Sequence, residues 1–173
     1  MSKTIYNVLV LCTGNSARSI LGEALFNHLG EGRIRAYSAG SQPSGKVNPV
    51  ALETLEKHGI PLPEARSKSW DEFAAPGAPE IDYIFTVCAS AAGETCPVWI
   101  GHPTTAHWGI PDPAHVEPMA ARVEAFEVAY QQLERRVRAF VALPLETMSA
   151  TELKAVAKQI HEEAEAADKA SGR

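Results

Sequence analysis

Cys12-Thr13-Gly14-Asn15-Ser16-Ala17-Arg18-Ser19 brings a thiol, a run of small residues and a guanidinium into eight consecutive positions. The chemistry open to that set is nucleophilic attack on a tetrahedral oxyanion. Gly14 and Asn15 tolerate positive φ, so a loop here can turn its backbone N–H groups inward. Such a nest, backed by a helix N-terminus, binds a tetrahedral anion through Thr13, Gly14, Asn15, Ser16, Ala17, Arg18 and Ser19. Arg18 contributes a planar fork for two more oxygens. The same field acts on Cys12. A thiol ordinarily titrates near pH ~8.5, and a helix N-terminus with a neighbouring cation lowers that value, so Cys12 is expected as thiolate at neutral pH. The Ser19 hydroxyl is placed to donate to the sulfur. A nucleophile on the floor of an anion cradle is suited to a phosphate-like centre. The run lacks the Lys-Ser/Thr ending of a nucleotide-binding loop, which makes an NTPase a poor reading.

The elements that must hold this loop are legible around it. Ile5 to Leu11 is a short apolar β-rich run, readable as a strand buried on both faces. Ile20, Leu21, Ala24, Leu25 and Leu29 recur at helical spacing, with Gly30 as C-cap. Ile34 to Tyr37 reads as a second strand, ended by Ser38-Ala39-Gly40. Asn48 caps a second helix that has Pro49 first and Gly59 just past its end. Pro61 to Pro79 reads as irregular, Ile81 to Val87 as a third strand and Thr104 to Gly109 as a fourth, with Trp108 and Ile110 packed inward. Met119, Val123, Phe126, Tyr130, Leu133, Val137 and Phe140 form one stripe on a long helix between Pro118 and Val141. A last helix opens at Ser149, where Glu152 completes a capping box. Its weak apolar face is Leu153, Val156, Ala157 and Ile160, and the Ala- and charge-rich end beyond is expected to fray. Alternating strands and helices imply an α/β fold: a three-layer α/β/α arrangement around a four-stranded parallel sheet. Residues 1–145 are expected as the domain and 146–173 as a helical extension.

Composition narrows the class. The chain has 173 residues, 45% hydrophobic and 21% charged, within the range of one soluble domain with a full core. Its net charge of −5 argues against a nucleic-acid binder. No apolar run approaches a membrane span, and Val8 to Leu11 is too short for a signal-peptide core, so a cytoplasmic location is expected. Three cysteines, Cys12, Cys88 and Cys96, are no disulfide framework and point to buried thiols or thiol chemistry. His102 and His107 are five apart, and no cysteine pair has zinc spacing, so neither a metal nor a cofactor is expected. Glu162 and Glu163 read as a solvated helix face.

Cys-Thr-Gly-Asn-Ser-x-Arg-Ser after an opening strand resembles the low-molecular-weight tyrosine phosphatase superfamily and, within it, the arsenate reductases. Tyr37-Ser38-Ala39-Gly40, Val47-Asn48-Pro49, Thr86-Val87-Cys88, Cys96-Pro97-Val98 and His107-Trp108-Gly109-Ile110-Pro111-Asp112-Pro113 match that family's landmarks in order, over about residues 5 to 142. The resemblance implies roles. Cys12 attacks arsenate held by the loop and Arg18. Asp112 is the acid that protonates the departing oxygen. Cys88 attacks the sulfur of arsenylated Cys12, expels arsenite and leaves a Cys12–Cys88 disulfide. Cys96 moves that disulfide to Cys88–Cys96. Thioredoxin, or glutaredoxin with glutathione, supplies the electrons by exchange.

Two departures from the family pattern carry consequences. Ala17 stands where some relatives have a further cysteine that the relay does not need. Some relatives also hold a potassium ion through residues matching Asn15, Glu23, Ser38 and an Asp, and the Asp position falls on Lys68. A fixed ammonium there repels a cation and substitutes for it. The alternative reading on the same scaffold is a phosphotyrosine phosphatase, which Ala114 and His115 after Asp112-Pro113 disfavour because they do not grip an aromatic ring. A third reading is an oxyanion-binding or redox-sensing protein without catalysis.

Overall fold

A computed structural model of the chain describes residues 5–62, 64–87 and 103–170. Four parallel strands make one sheet: β1 (Tyr6–Cys12), β2 (Ile34–Gly40), β3 (Tyr83–Thr86) and β4 (Thr104–His107), in the spatial order β2-β1-β3-β4. Strand β1 is one of the two inner strands, paired along its whole length with β2 and from Val8 to Leu11 with β3. The second strand runs further than the spacing suggested. Ser38, Ala39 and Gly40 pair with Val10, Leu11 and Cys12 instead of ending the strand.

The alternation along β1 sorts its side chains between two cores. Tyr6, Val8, Val10 and Cys12 enter the larger cluster. Leu9 and Leu11 enter the smaller one, with Ala39, Ile84, Trp70 and Phe73. The larger cluster lies under four helices: α1 (Arg18–Leu29), α2 (Pro49–Lys57), α3 (Met119–Val141) and α4 (Ala150–Ala170). The smaller is closed by a 3-10 turn, Trp70–Phe73, capped by the Ser69 hydroxyl. The fold is α/β around the four-stranded parallel sheet that the alternating pattern implied, and among the described residues the four α-helices lie on one face of the sheet and the 3-10 turn on the other.

Asn48 caps α2 by accepting from the Val50 N–H at 2.9 Å, with Pro49 in the first position, where its missing N–H costs nothing. Gly30 follows α1 at φ −98°, so it is needed for space and not for a left-handed turn. A Cβ there would stand 2.7 Å from that of Ile34.

The stripe on α3 buries Phe126, Tyr130, Leu133, Val137 and Phe140, but Met119 is 53% exposed. The reason is length. Twenty-three residues of helix span roughly 34 Å, whereas a seven-residue strand spans roughly 23 Å, so the first turn outruns the sheet.

The end of the chain also departs from expectation, since α4 continues to Ala170 instead of fraying early. Its capping box forms, with Ser149 Oγ accepting from Glu152 N–H and Glu152 Oε1 from Ser149 N–H, each at 3.1 Å. Leu153, Ala157 and Ile160 join the main core, and Trp108 Nε1 donates to the Ala157 carbonyl at 2.9 Å. Asp168, buried near the last turn, meets Arg135 at 2.7 Å and Arg136 at 3.0 Å.

Candidate active site

Cys12 is the last residue of β1, and its place in the alternation points it to the face that α1 covers. It is 5% exposed. The loop from Thr13 to Ala17 then crosses from the strand to the first turn of α1. Asn15 takes the left-handed conformation, φ 45°, that the sequence allowed for it; Gly14 is not in that region. Asn15 tolerates it because its buried side chain is fixed at both ends. Its Nδ2 donates to Ser19 Oγ at 2.8 Å, and its Oδ1 accepts from the Lys68 N–H at 2.8 Å.

The carbonyls of the loop are held outward by residues to which the sequence pattern assigns no part in the cradle. Thr13 O accepts from Gln42 N at 2.9 Å, Gly14 O from Ser44 N at 3.0 Å, and Ser16 O from Asn48 N at 2.8 Å. The Ser67 hydroxyl donates to Gly14 O at 3.1 Å. In a trans peptide the following N–H points the opposite way. Fixing those carbonyls outward therefore turns the N–H groups of Gly14, Asn15 and Ala17 toward the concave side. The N-terminus of α1 adds to this field: its N-cap, Ala17, has no capping side chain, and its first turn has no acidic residue. Gly40 lets the flanking segment approach. A Cβ there would meet Thr13 O and lie 2.8 Å from Cys12 O.

Arg18 opens α1 and is aimed by a bond from Nη1 to the Ile110 carbonyl at 3.0 Å. Its Nη2 lies 3.6 Å from Asp112 Oδ2, with 13% of the arginine side chain and 38% of the aspartate exposed. Arg18 Nε is buried and makes no hydrogen bond among the described residues, a donor that suits an oxyanion in the cradle. The other carboxylate oxygen of Asp112 accepts from the Ala114 N–H at 2.9 Å, which fixes the side chain at the half-open rim. The structure thus brings together Cys12, Arg18, Asp112 and Thr13 through Ser19. Cys88 and Cys96 lie outside the described residues.

Glu23, Ser38 and Lys68 sit together behind the loop. Ser38 Oγ donates to Glu23 Oε1. Burial pushes the Glu23 carboxyl up, partly countered by that hydrogen bond and by the Lys68 charge. Burial pushes the Lys68 ammonium down, partly countered by Glu23. Lys68 Nζ is anchored on the Arg66 carbonyl at 3.0 Å, and its backbone holds Asn15. Among the described residues no group of three or more His, Cys, Asp or Glu is arranged to hold a metal.

A thiol at a strand end, an inward ring of amides and an arginine on the following helix define an oxyanion-binding α/β protein. The chain belongs to the low molecular weight phosphotyrosine protein phosphatase family, whose model matches residues 7–163. It is 32% identical over 141 residues to an arsenate reductase of Shouchella clausii, covering 81% of this chain and 96% of that one. An arsenate reductase of Bacillus licheniformis is 35% identical over 140 residues, covering 80% and 94%. Among solved structures, arsenate reductase from Archaeoglobus fulgidus superposes with a TM-score of 0.61 at 28% identity, covering 79% of this chain and 99% of that one. An arsenate reductase in the phosphate-binding state gives 0.62 at 25%, covering 80% and 98%.

Proposed function

We propose that the chain reduces arsenate to arsenite. The observation that carries this is the cradle: Cys12 lies at its base, the N–H groups of Gly14, Asn15 and Ala17 turn inward, and Arg18 flanks it. The names of the curated relatives agree with this reading. Arsenate, a tetrahedral oxyanion, sits against those donors with one As–O bond opposite the sulfur. The Cys12 thiolate attacks arsenic, and Asp112 gives its proton to the departing oxygen, which leaves as water. Asn15 donates to Ser19 Oγ, so the Ser19 hydroxyl proton is left to stabilise the sulfur.

The second half of the reaction is the thiol relay. The Cys88 thiolate attacks Cys12 Sγ, and the electron pair of the S–As bond passes to arsenic, which leaves as arsenite. Cys96 then attacks Cys88 Sγ and returns Cys12 as thiolate. A dithiol donor reduces the Cys88–Cys96 disulfide; thioredoxin fits a three-thiol relay, and glutaredoxin with glutathione is the competing route. The reaction is assigned to the cytoplasm, where such donors operate. Among the described residues no helix is long and apolar enough to cross a membrane.

Cys88→Ser is the test. It loses arsenate turnover and retains slow hydrolysis of an aryl phosphate, because phosphate shares the shape and charge of arsenate and needs only Cys12, Arg18 and Asp112. Survival of both activities overturns the relay. Lys68 takes the place of a monovalent cation beside Glu23, so turnover is equal in sodium and potassium buffers; a several-fold stimulation by potassium contradicts this assignment.

A further inference from the structure

Away from the cradle, a groove of about 550 Å³ lies between the outer strand β4 and the C-terminal helix α4. Its volume is that of a small organic ligand. The walls are mostly carbon, from Ala106, Ala155 and the aliphatic stems of Lys154 and Lys158. Its polar groups are the ammoniums of Lys154 and Lys158, the rings of His107 and His161, the hydroxyls of Thr105 and Thr151, and one carboxylate, Glu162. Lys154 and Lys158 stand one helical turn apart on α4 and share this wall. The ring of His161 lies on the same side, 6.3 Å from the ring of His107.

The histidines do not make this a metal site. Arg136 Nε donates to His161 Nδ1 at 3.1 Å, and an arginine cannot accept. Neutral His161 therefore carries its proton on Nε2, where a metal would need a lone pair. That nitrogen is instead a hydrogen-bond donor, 3.8 Å from Glu165 Oε2. His107 Nδ1 is engaged by Thr86 Oγ1 at 2.7 Å, and its Nε2 lies close to Gly109, where an added Cβ would stand 2.9 Å away. Two ammonium groups and an N–H donor around an apolar channel complement a ligand with an anionic head and an apolar body.

We propose that the groove between β4 and α4 binds a small amphipathic organic anion, a medium-chain carboxylate or arylsulfonate in chemical class. The head pairs with Lys154 and Lys158 near His161, and the body lies against Ala106 and Ala155. Neither Cys12 nor any residue of the cradle takes part.

The test uses the full chain with 1-anilinonaphthalene-8-sulfonate as probe. The expected result is saturable binding at one site in the micromolar range. Decanoate displaces the probe and decanol does not. The double variant K154M/K158M keeps the aliphatic stems and weakens probe binding at least about tenfold, while arsenate turnover is unchanged. Ala155→Phe fills the groove without altering charge and abolishes binding. The imidazole resonances of His161 shift on titration with decanoate in the parent chain. Absence of saturable binding overturns the proposal. So does parent-like affinity in K154M/K158M, equal displacement by decanol, or binding that leaves the His161 signals unmoved. Circular dichroism of the two variants identifies any loss that comes from unfolding, and the His161 titration on the parent decides the matter in that case.

Discussion

The cradle and the seam between α3 and α4 both bury polar groups, to different ends. In the cradle, the Ser67 hydroxyl and the N–H groups of Gln42, Ser44 and Asn48 are spent on the loop's carbonyls, and the Asn15 side chain ties the loop to Ser19 Oγ and the Lys68 N–H. Their combined effect is to leave inward N–H donors open to a ligand. At the seam, the buried polar groups satisfy each other. Arg136, 1% exposed, is bonded to the Gln132 carbonyl, to His161 Nδ1 and to Asp168, and among the described residues no buried side-chain nitrogen or oxygen of this seam lacks a partner. Polar burial that ends in unsatisfied donors makes a binding site, whereas burial that closes on itself fixes how two helices dock.

Variants in the two regions should therefore separate chemistry from stability. The largest effect is expected at Arg18. Arg18→Lys keeps the charge but loses the fork and the aim from Ile110, and arsenate turnover falls on the order of a hundredfold. Its melting temperature stays within a few degrees of the parent. Steady-state kinetics beside a thermal melt check both halves. A variant that unfolds, or that keeps full turnover, breaks the contrast.

Asp168→Ala is the converse. It leaves the buried Arg136 guanidinium without its carboxylate, at a cost of about 3 kcal/mol. For a chain of this size that lowers the melting temperature by roughly 6–12 °C. Turnover per folded molecule at 25 °C is unchanged. Loss of turnover in fully folded Asp168→Ala would show that the seam reaches the site.

The smallest effect is that of pH on the seam. Burial lowers the His161 pKa from its ordinary value, and the Arg136 charge beside it lowers it further; Glu165 and Asp168 oppose this, and His107 adds to it. A depressed histidine favours the folded state while it is neutral. That contribution is complete above the unfolded value of about 6.5 and is lost as pH falls below it toward the folded value. The melting temperature should drop modestly between pH 7 and 5, and the drop should shrink in His161→Gln. An identical drop in that variant removes His161 from the account.

Much of the cradle was legible in the chain itself. The thiol, the small residues and Arg18 are contiguous, and a strand before with a helix after is enough to say what such a loop does. The Asn48 cap, the capping box at Ser149 and the alternation that implies a parallel sheet were equally local or periodic signals. Three things were not. The donors that turn the loop carbonyls outward come from residues 42, 44, 48 and 67, and no periodicity marks a residue whose task is to hold a distant peptide plane. Met119 fits the stripe on α3 and is exposed, because the stripe records a period and not where the sheet stops. The end of α4 reads as a solvated tail because Asp168 looks like any surface acid until Arg135 and Arg136 are brought beside it from 33 and 32 residues earlier.

Sequence alone therefore determined the chemical kit at the cradle and the elements that carry it, since both depend on neighbours along the chain. Only the tertiary structure decided which way the loop carbonyls face, which buried charges are paired, and that a groove opens between β4 and α4. Those outcomes depend on groups that are remote in the chain and adjacent in space, and their energies exist only once the sheet and helices have met.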